Sequence, residues 1–139
     1  MPDYTLSTDG GARGNPGPAG AGATIQDAKG TTVREVSQYL GEVTNNQAEY
    51  EALILGLEAL QELGARGKDI LVRMDSELII QQMKGNYKVK NEGLKPLYQR
   101  SQALVSSLDD TVTFTHVLRH LNKRADALVN AAIDKATGK

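Results

Sequence analysis

The sequence predicts an α/β domain: a five-stranded mixed sheet, three antiparallel N-terminal strands plus two parallel ones, flanked by helices. Three observations predict it. Strand-like segments separated by turn residues recur three times before residue 41, which reads as an antiparallel meander. The segment Asp69–Met74 is an almost unbroken apolar run with β-branched residues, the pattern of a strand covered on both faces. Beyond it the patterns run helix, helix, strand, helix, and strands separated by helices are joined by parallel crossovers.

The first strand opens with Tyr4, Leu6 and Thr8 alternating with Thr5, Ser7 and Asp9, which places Asp9 at its end. Gly10-Gly11 is expected to release the chain into a turn containing Asn15-Pro16-Gly17. A phosphate-binding loop is excluded, because no Lys-Ser/Thr pair follows Gly17 and the next element has strand character. That element is rich in Gly and Ala from about Ala19, a sign of close backbone approach, and reads as a strand over Ala23–Ala28. Lys29-Gly30 turns the chain into a third strand, Thr32–Leu40.

Thr44-Asn45-Asn46-Gln47 has the capping-box pattern, so a helix is predicted from here to about Leu63, stopped by Gly64. Its apolar stripe is Ala52, Leu53, Gly56, Leu60 and Leu63. Stepping back by helical spacing reaches Glu49, which shares the sheet-facing side or stands at its rim near the positive end of the helix dipole. The apolar strand ends at Asp75-Ser76-Glu77. Asp75 repeats the placement of Asp9, and either Asp75 or Ser76 can cap the short helix built on Leu78, Ile79, Ile80 and Met83. Gly85 ends that helix, and a basic connection, Asn86–Gly93, leads to another from about Leu94 to Leu108. Asp109-Asp110 turns the chain into the last strand, Thr111–Val117. Arg119-His120-Leu121 reads as a loop. Asn122 is expected to cap a final helix that buries Ala125, Leu128, Val129, Ala132 and Ile133, with Asp126 on the edge of that face.

A chain of 139 residues buries a core without disulfides or structural metal, so one domain over residues 1–139 is expected. The absence of cysteine excludes a disulfide scaffold, thiolate catalysis and cysteine-type zinc sites, and suits a reducing compartment. No basic start followed by an apolar run is visible, and the longest apolar run, Ala52–Leu57, is far short of the roughly 20 residues of a membrane span. A soluble, cytoplasmic monomer is the expectation. The formal net charge of -1 is unevenly spread: Lys84, Lys88, Lys90, Lys95 and Arg100 face only Glu92, and Arg119, Lys123 and Arg124 cluster near His116 and His120.

In sheets of this kind the functional crevice lies beyond the carboxyl ends of the parallel strands. Asp9 and Asp75 are predicted at such ends, and Glu49 and Asp126 in the first turns of helices packed on the sheet. Four converging acids raise one another's pKa, so either some are protonated or cations are bound. All-oxygen ligation selects hard ions, Mg²⁺ first and Mn²⁺ next. Two such ions roughly 4 Å apart clamp a phosphodiester between attacking water and leaving oxygen. Setting those four charges aside moves the formal net charge from -1 to +3, which no longer opposes a polyanionic substrate.

Thr8-Asp9-Gly10-Gly11 with Asn15-Pro16-Gly17, Thr44-Asn45-Asn46-Gln47-Ala48-Glu49, Asp75-Ser76, and Asn122-Lys123-Arg124-Ala125-Asp126-Ala127-Leu128 together resemble the four signature motifs of type 1 ribonuclease H. The match is in order and covers nearly the whole chain. The resemblance implies a ribonuclease H-like fold and endonucleolytic cleavage of the RNA strand of an RNA/DNA hybrid, leaving 5'-phosphate and 3'-hydroxyl ends. It also implies that Asp9, Glu49, Asp75 and Asp126 are metal-binding catalytic acids, with Asp9 shared between two Mg²⁺ ions. Asn15, Asn45 and Asn46 resemble residues that read the minor groove of the hybrid, and Gly11 and Glu49 resemble groups that meet the RNA 2'-hydroxyls. Thr44 resembles a DNA-phosphate contact as well as a helix cap, and Lys84, Lys88 and Lys90 would track the backbone. Two departures stand out. The short connection Gly85–Gly93 leaves no room for the basic protrusion many members carry, and the flexible-loop histidine of many members maps to His120, with His116 second because it sits inside the strand pattern. Two other readings share the fold. A non-catalytic hybrid-binding module predicts damage to the acid set. Another nuclease or strand-transfer enzyme is opposed by the Thr44-Asn45-Asn46 and Asp9-Gly10-Gly11 contexts.

Overall fold

The computed structural model describes residues 1–138. In chain order the elements are β1 (Tyr4–Ala12), β2 (Gly17–Asp27), β3 (Thr32–Val43), α1 (Asn45–Glu62), β4 (Ile70–Met74), α2 (Glu77–Met83), α3 (Lys95–Ser107), β5 (Val112–His116), a 3₁₀ turn (Arg119–Leu121) and α4 (Lys123–Thr137). The sheet order is β3-β2-β1-β4-β5. β1, β2 and β3 pair antiparallel, while β4 pairs parallel with both β1 and β5, as the periodicity predicts. No helix among the described residues is long and apolar enough to cross a membrane.

The first three strands run longer than the sequence reading, β2 starting at Gly17 and β3 ending at Val43, and the end of β1 matters for the site. The turn expected at Gly10-Gly11 begins only after Ala12, because Gly10, Gly11 and Ala12 pair with Ala21, Gly20 and Ala19 of β2. The parallel ladder with β4 nonetheless stops at Ser7 opposite Arg73, so Asp9 stands just past the parallel ladder on a strand that continues. Gly10 stays in the strand because a helix lies against it: a Cβ there would sit 2.2 Å from the Ala48 carbonyl oxygen of α1. A Cβ on Gly22 of β2 would sit 2.3 Å from the Ala125 carbonyl oxygen of α4. These two glycines have opposite parity in paired strands, so α1 and α4 cover opposite faces of the sheet.

α1 packs on β1 and β2 and also against α3, which explains why its buried set exceeds the predicted stripe. Tyr50, Ile54 and Leu57 are buried in addition to Ala52, Leu53, Gly56 and Leu60, whereas Leu63 is only partly buried. Its capping box is present, with Thr44 Oγ1 accepting from the Gln47 N–H and the Gln47 side chain accepting from the Thr44 N–H. Ser76 caps α2, which leaves the Asp75 carboxylate free of that role. Asn122 occupies the cap position of α4 but makes no capping bond there, contrary to expectation. Its Nδ2 donates instead to the Thr8 carbonyl at 2.8 Å. A side chain only 3% exposed needs a partner inside the protein, and Thr8 offers one just where the parallel ladder has ended.

Candidate active site

Asp9 on β1, Glu49 early in α1 and Asp75 just after β4 each bring a carboxylate oxygen within 4.8 Å of the other two. Asp9 and Glu49 are both only 6% exposed. The Gly10 N–H donates to Glu49 Oε1 at 2.6 Å, so the closest strand-to-helix contact also aims the carboxylate. Glu49 Oε2 is buried and has no hydrogen-bond partner. An unpartnered carboxylate oxygen beside two further acids is unfavourable by several kcal/mol, and an all-oxygen donor set fits a hard metal ion that would relieve it.

The electrostatics carry the same strain. Burial, reinforced by the charge of Asp75 and by Asp126, pushes the Asp9 pKa up to about 7. Burial and the Asp9 charge hold Glu49 well above the usual carboxylate range. Asp75 is raised by burial and by Asp126, against the opposing effects of Arg119, Asn122 and His116.

Asp126 is less enclosed than Asp9 and Glu49. It lies in the first turn of α4 with its side chain 33% exposed, and its Oδ1 is 3.6 Å from Arg119 Nη2. All four acids border one cleft of ≈ 750 Å³, together with Gly11, Asn45, His116 and Arg119. Arg119 was legible in the sequence only as one member of a basic group.

His120 does not line this cleft. It is exposed on the 3₁₀ turn and borders a separate groove with Arg73 and Lys123. The histidine in the cleft is His116, which pairs with Met74 at the end of β5 and so stands level with the chain entering Asp75. β5 ends at His116, and His120 lies on the 3₁₀ turn that follows, beside the second groove.

The residues assigned to substrate contact fall into two groups. Asn45 Oδ1 accepts from the Ala12 N–H at 2.8 Å, and Asn15 Oδ1 accepts from the Asn45 N–H at 3.0 Å. A backbone N–H can only donate, so both amides turn their oxygens inward and leave their NH₂ groups available. Asn46 is exposed beside them, and Thr44 is half-buried at the cap. Lys84, Lys88 and Lys90 form the second group, exposed at and after the end of α2. Lys95 and Arg100 are paired with Glu92 and Glu58, while Lys84, Lys88 and Lys90 take part in no ion pair among the described residues.

A family profile described as Reverse transcriptase-like matches residues 7–132. A ribonuclease H of Hydrogenovibrio crunogenus is 36% identical, aligned over 99% of this chain and 100% of its own. The chain belongs to the type 1 ribonuclease H family. Among ribonuclease H structures, LC11-RNase H1, isolated from compost by a metagenomic approach, matches with a TM-score of 0.93 at 52% identity, covering 99% of each chain. The same relative has been solved in complex with an RNA/DNA hybrid, where 96% of this chain and 99% of that one match at 51% identity and a TM-score of 0.93. A bifunctional protein of Mycobacterium tuberculosis is 46% identical over 94% of this chain, which spans only 35% of that relative's length. The ribonuclease H fold therefore accounts for the mixed sheet and the placement of the acids at its centre.

Proposed function

We propose that this protein is an endoribonuclease that hydrolyses the RNA strand of RNA/DNA hybrids and leaves 5'-phosphate and 3'-hydroxyl ends. The observation that carries this reading is the buried, unpartnered Glu49 Oε2 within a group of three converging carboxylates. Asp9, Glu49, Asp75 and Asp126 would hold two Mg²⁺ ions, or Mn²⁺ in their place. Bound there, such ions would lower the pKa of an attacking water and stabilise charge on the phosphate and its leaving oxygen. A hybrid-binding module without catalysis would have no use for so costly an acid set.

The surrounding residues have separate tasks. Gly10 aims Glu49 through its N–H, and Gly11, lacking a side chain, lets an RNA backbone approach. Asn15 and Asn45 offer amide donors, and with Asn46 they face groove acceptors and 2'-hydroxyls. Thr44 and the free cations Lys84, Lys88 and Lys90 meet backbone phosphates, replacing in part the basic protrusion that this chain lacks. His116, which lines the cleft near Asp75, would carry a proton to or from the reacting groups. His116→Ala is expected to lower turnover about a hundredfold, while His120→Ala stays within about twofold, measured at saturating hybrid and Mg²⁺. Residues 1–139 are proposed to form one catalytic domain that acts as a monomer in the cytoplasm, a reducing compartment that suits a sequence without cysteine.

Incubating labelled RNA/DNA hybrid, duplex RNA and duplex DNA with the protein and Mg²⁺ tests the proposal. Only the hybrid is expected to be cut efficiently, chelation is expected to stop the reaction, and Asp75→Asn is expected to bind without cutting. Efficient cutting of duplex DNA, or full activity of the variant, would sink it.

A further inference from the structure

Glu49 and Asp75 reach the centre from different elements, so their separation depends on how α1 and the start of α2 are held together. α2 is seven residues long, about 10 Å at the usual helical rise, and begins two residues after Asp75. It buries Ile79, Ile80 and Met83 in the core. Apolar contacts of this kind attract without direction, so they favour close packing but do not by themselves set a helix's rotation.

The directional link is polar. The Tyr50 hydroxyl on α1 donates to Gln82 Oε1 on α2 at 2.6 Å. It is the one side-chain hydrogen bond between these two helices among the described residues. Tyr50 is fully buried and Gln82 is 5% exposed, which shields the bond from competing water. α3 holds the same end of α2 through Gln102 Nε2, which donates to the Met83 carbonyl at 3.3 Å. Tyr50 immediately follows Glu49, and Gln82 lies on α2, which begins two residues after Asp75.

We propose that the Tyr50–Gln82 hydrogen bond is a positioning strut of the metal centre, setting α2 against α1 and thereby the separation of the Glu49 and Asp75 carboxylates. This rests on the reading of those acids as metal ligands. Neither residue touches substrate or metal in this scheme; both act through the helices they join. Hard-ion sites tolerate little misplacement of their oxygens, so the strut governs metal affinity more than folding.

Tyr50→Phe keeps the ring and removes the donor, and Gln82→Met keeps the chain length and removes the acceptor. Calorimetric titration with Mn²⁺ compares both, the double variant and Asp75→Asn with the native protein, each checked for folding by circular dichroism. Each single variant is expected to bind Mn²⁺ about threefold to tenfold more weakly. The double variant is expected to be no weaker than the singles, since either change breaks the same link. Native Mn²⁺ affinity in Tyr50→Phe, or in Gln82→Met should the first fail to fold, overturns the strut even if the unfolding temperature drops. Native affinity in Asp75→Asn overturns the ligand reading and the strut with it, whereas weak binding there beside native affinity in Tyr50→Phe overturns the strut alone.

Discussion

Asp9→Asn is expected to lower hybrid cleavage about a thousandfold or more while raising the stability of the metal-free protein by about 1–3 kcal/mol at pH 8. Both effects have one cause. Asp9 is 6% exposed beside Glu49 and Asp75, so its negative charge is unfavourable until a cation shares it. An amide of the same shape removes the repulsion and also an anionic oxygen that the reaction needs. The sign of the pH dependence follows from the pKa of about 7 in the fold against an ordinary value of 3.8. Between those values the folded state holds more protons than the unfolded one, so the contribution of Asp9 to stability is full below about pH 4 and is lost as pH rises through about 7. Glu49 and Asp75, also raised, add in the same direction. Denaturant unfolding in the presence of a chelator is therefore expected to show the native protein less stable at pH 8 than at pH 5, with a shallower loss in Asp9→Asn. Equal losses would show that Asp9 titrates like an exposed carboxylate.

Gly10→Ala is expected to cost about 3 kcal/mol or more, lowering the unfolding midpoint by roughly 10 °C. The added Cβ would stand 2.2 Å from the Ala48 carbonyl oxygen and 2.5 Å from the Glu49 nitrogen. Those are helix backbone atoms, so no side-chain rotation relieves the overlap and α1 itself must move. The movement also breaks the bond from the Gly10 N–H to Glu49 Oε1, so metal affinity falls together with stability. Gly11→Ala is the matched control, because the nearest atom to its Cβ is Val129 Cγ1 at 3.8 Å, an ordinary contact. Thermal unfolding of the two variants should separate them clearly, and a midpoint for Gly10→Ala within a degree or two of the control would refute the close-approach argument.

Much of this architecture was legible in the chain because its signals are local. Strand alternation, the capping box at Thr44–Gln47 and the helical spacing that leads from the apolar stripe to Glu49 each depend on residues within a few positions of one another. They were enough to order five strands and four helices and to send four acids towards one end of the sheet. The motifs that resemble ribonuclease H were legible for the same reason, since each is a short contiguous string.

What only the tertiary structure decided involves groups far apart in sequence. Gly10 and Gly11 looked like a turn, but pairing with β2 keeps them in the strand and a helix backbone lies against Gly10. Asn122 looked like a cap, but its amide serves the Thr8 carbonyl, 114 positions away. Of the two histidines, His116 at the end of β5 lines the cleft, whereas His120 on the following turn lines a separate groove. Three acids close into one group while Asp126 stays at the rim beside Arg119. For the Gly10-Gly11 pair and for Asn122, the residue type admits two partners, one local and one remote. Local patterning names both, and only the packing of helices on the sheet determines which partner is within reach.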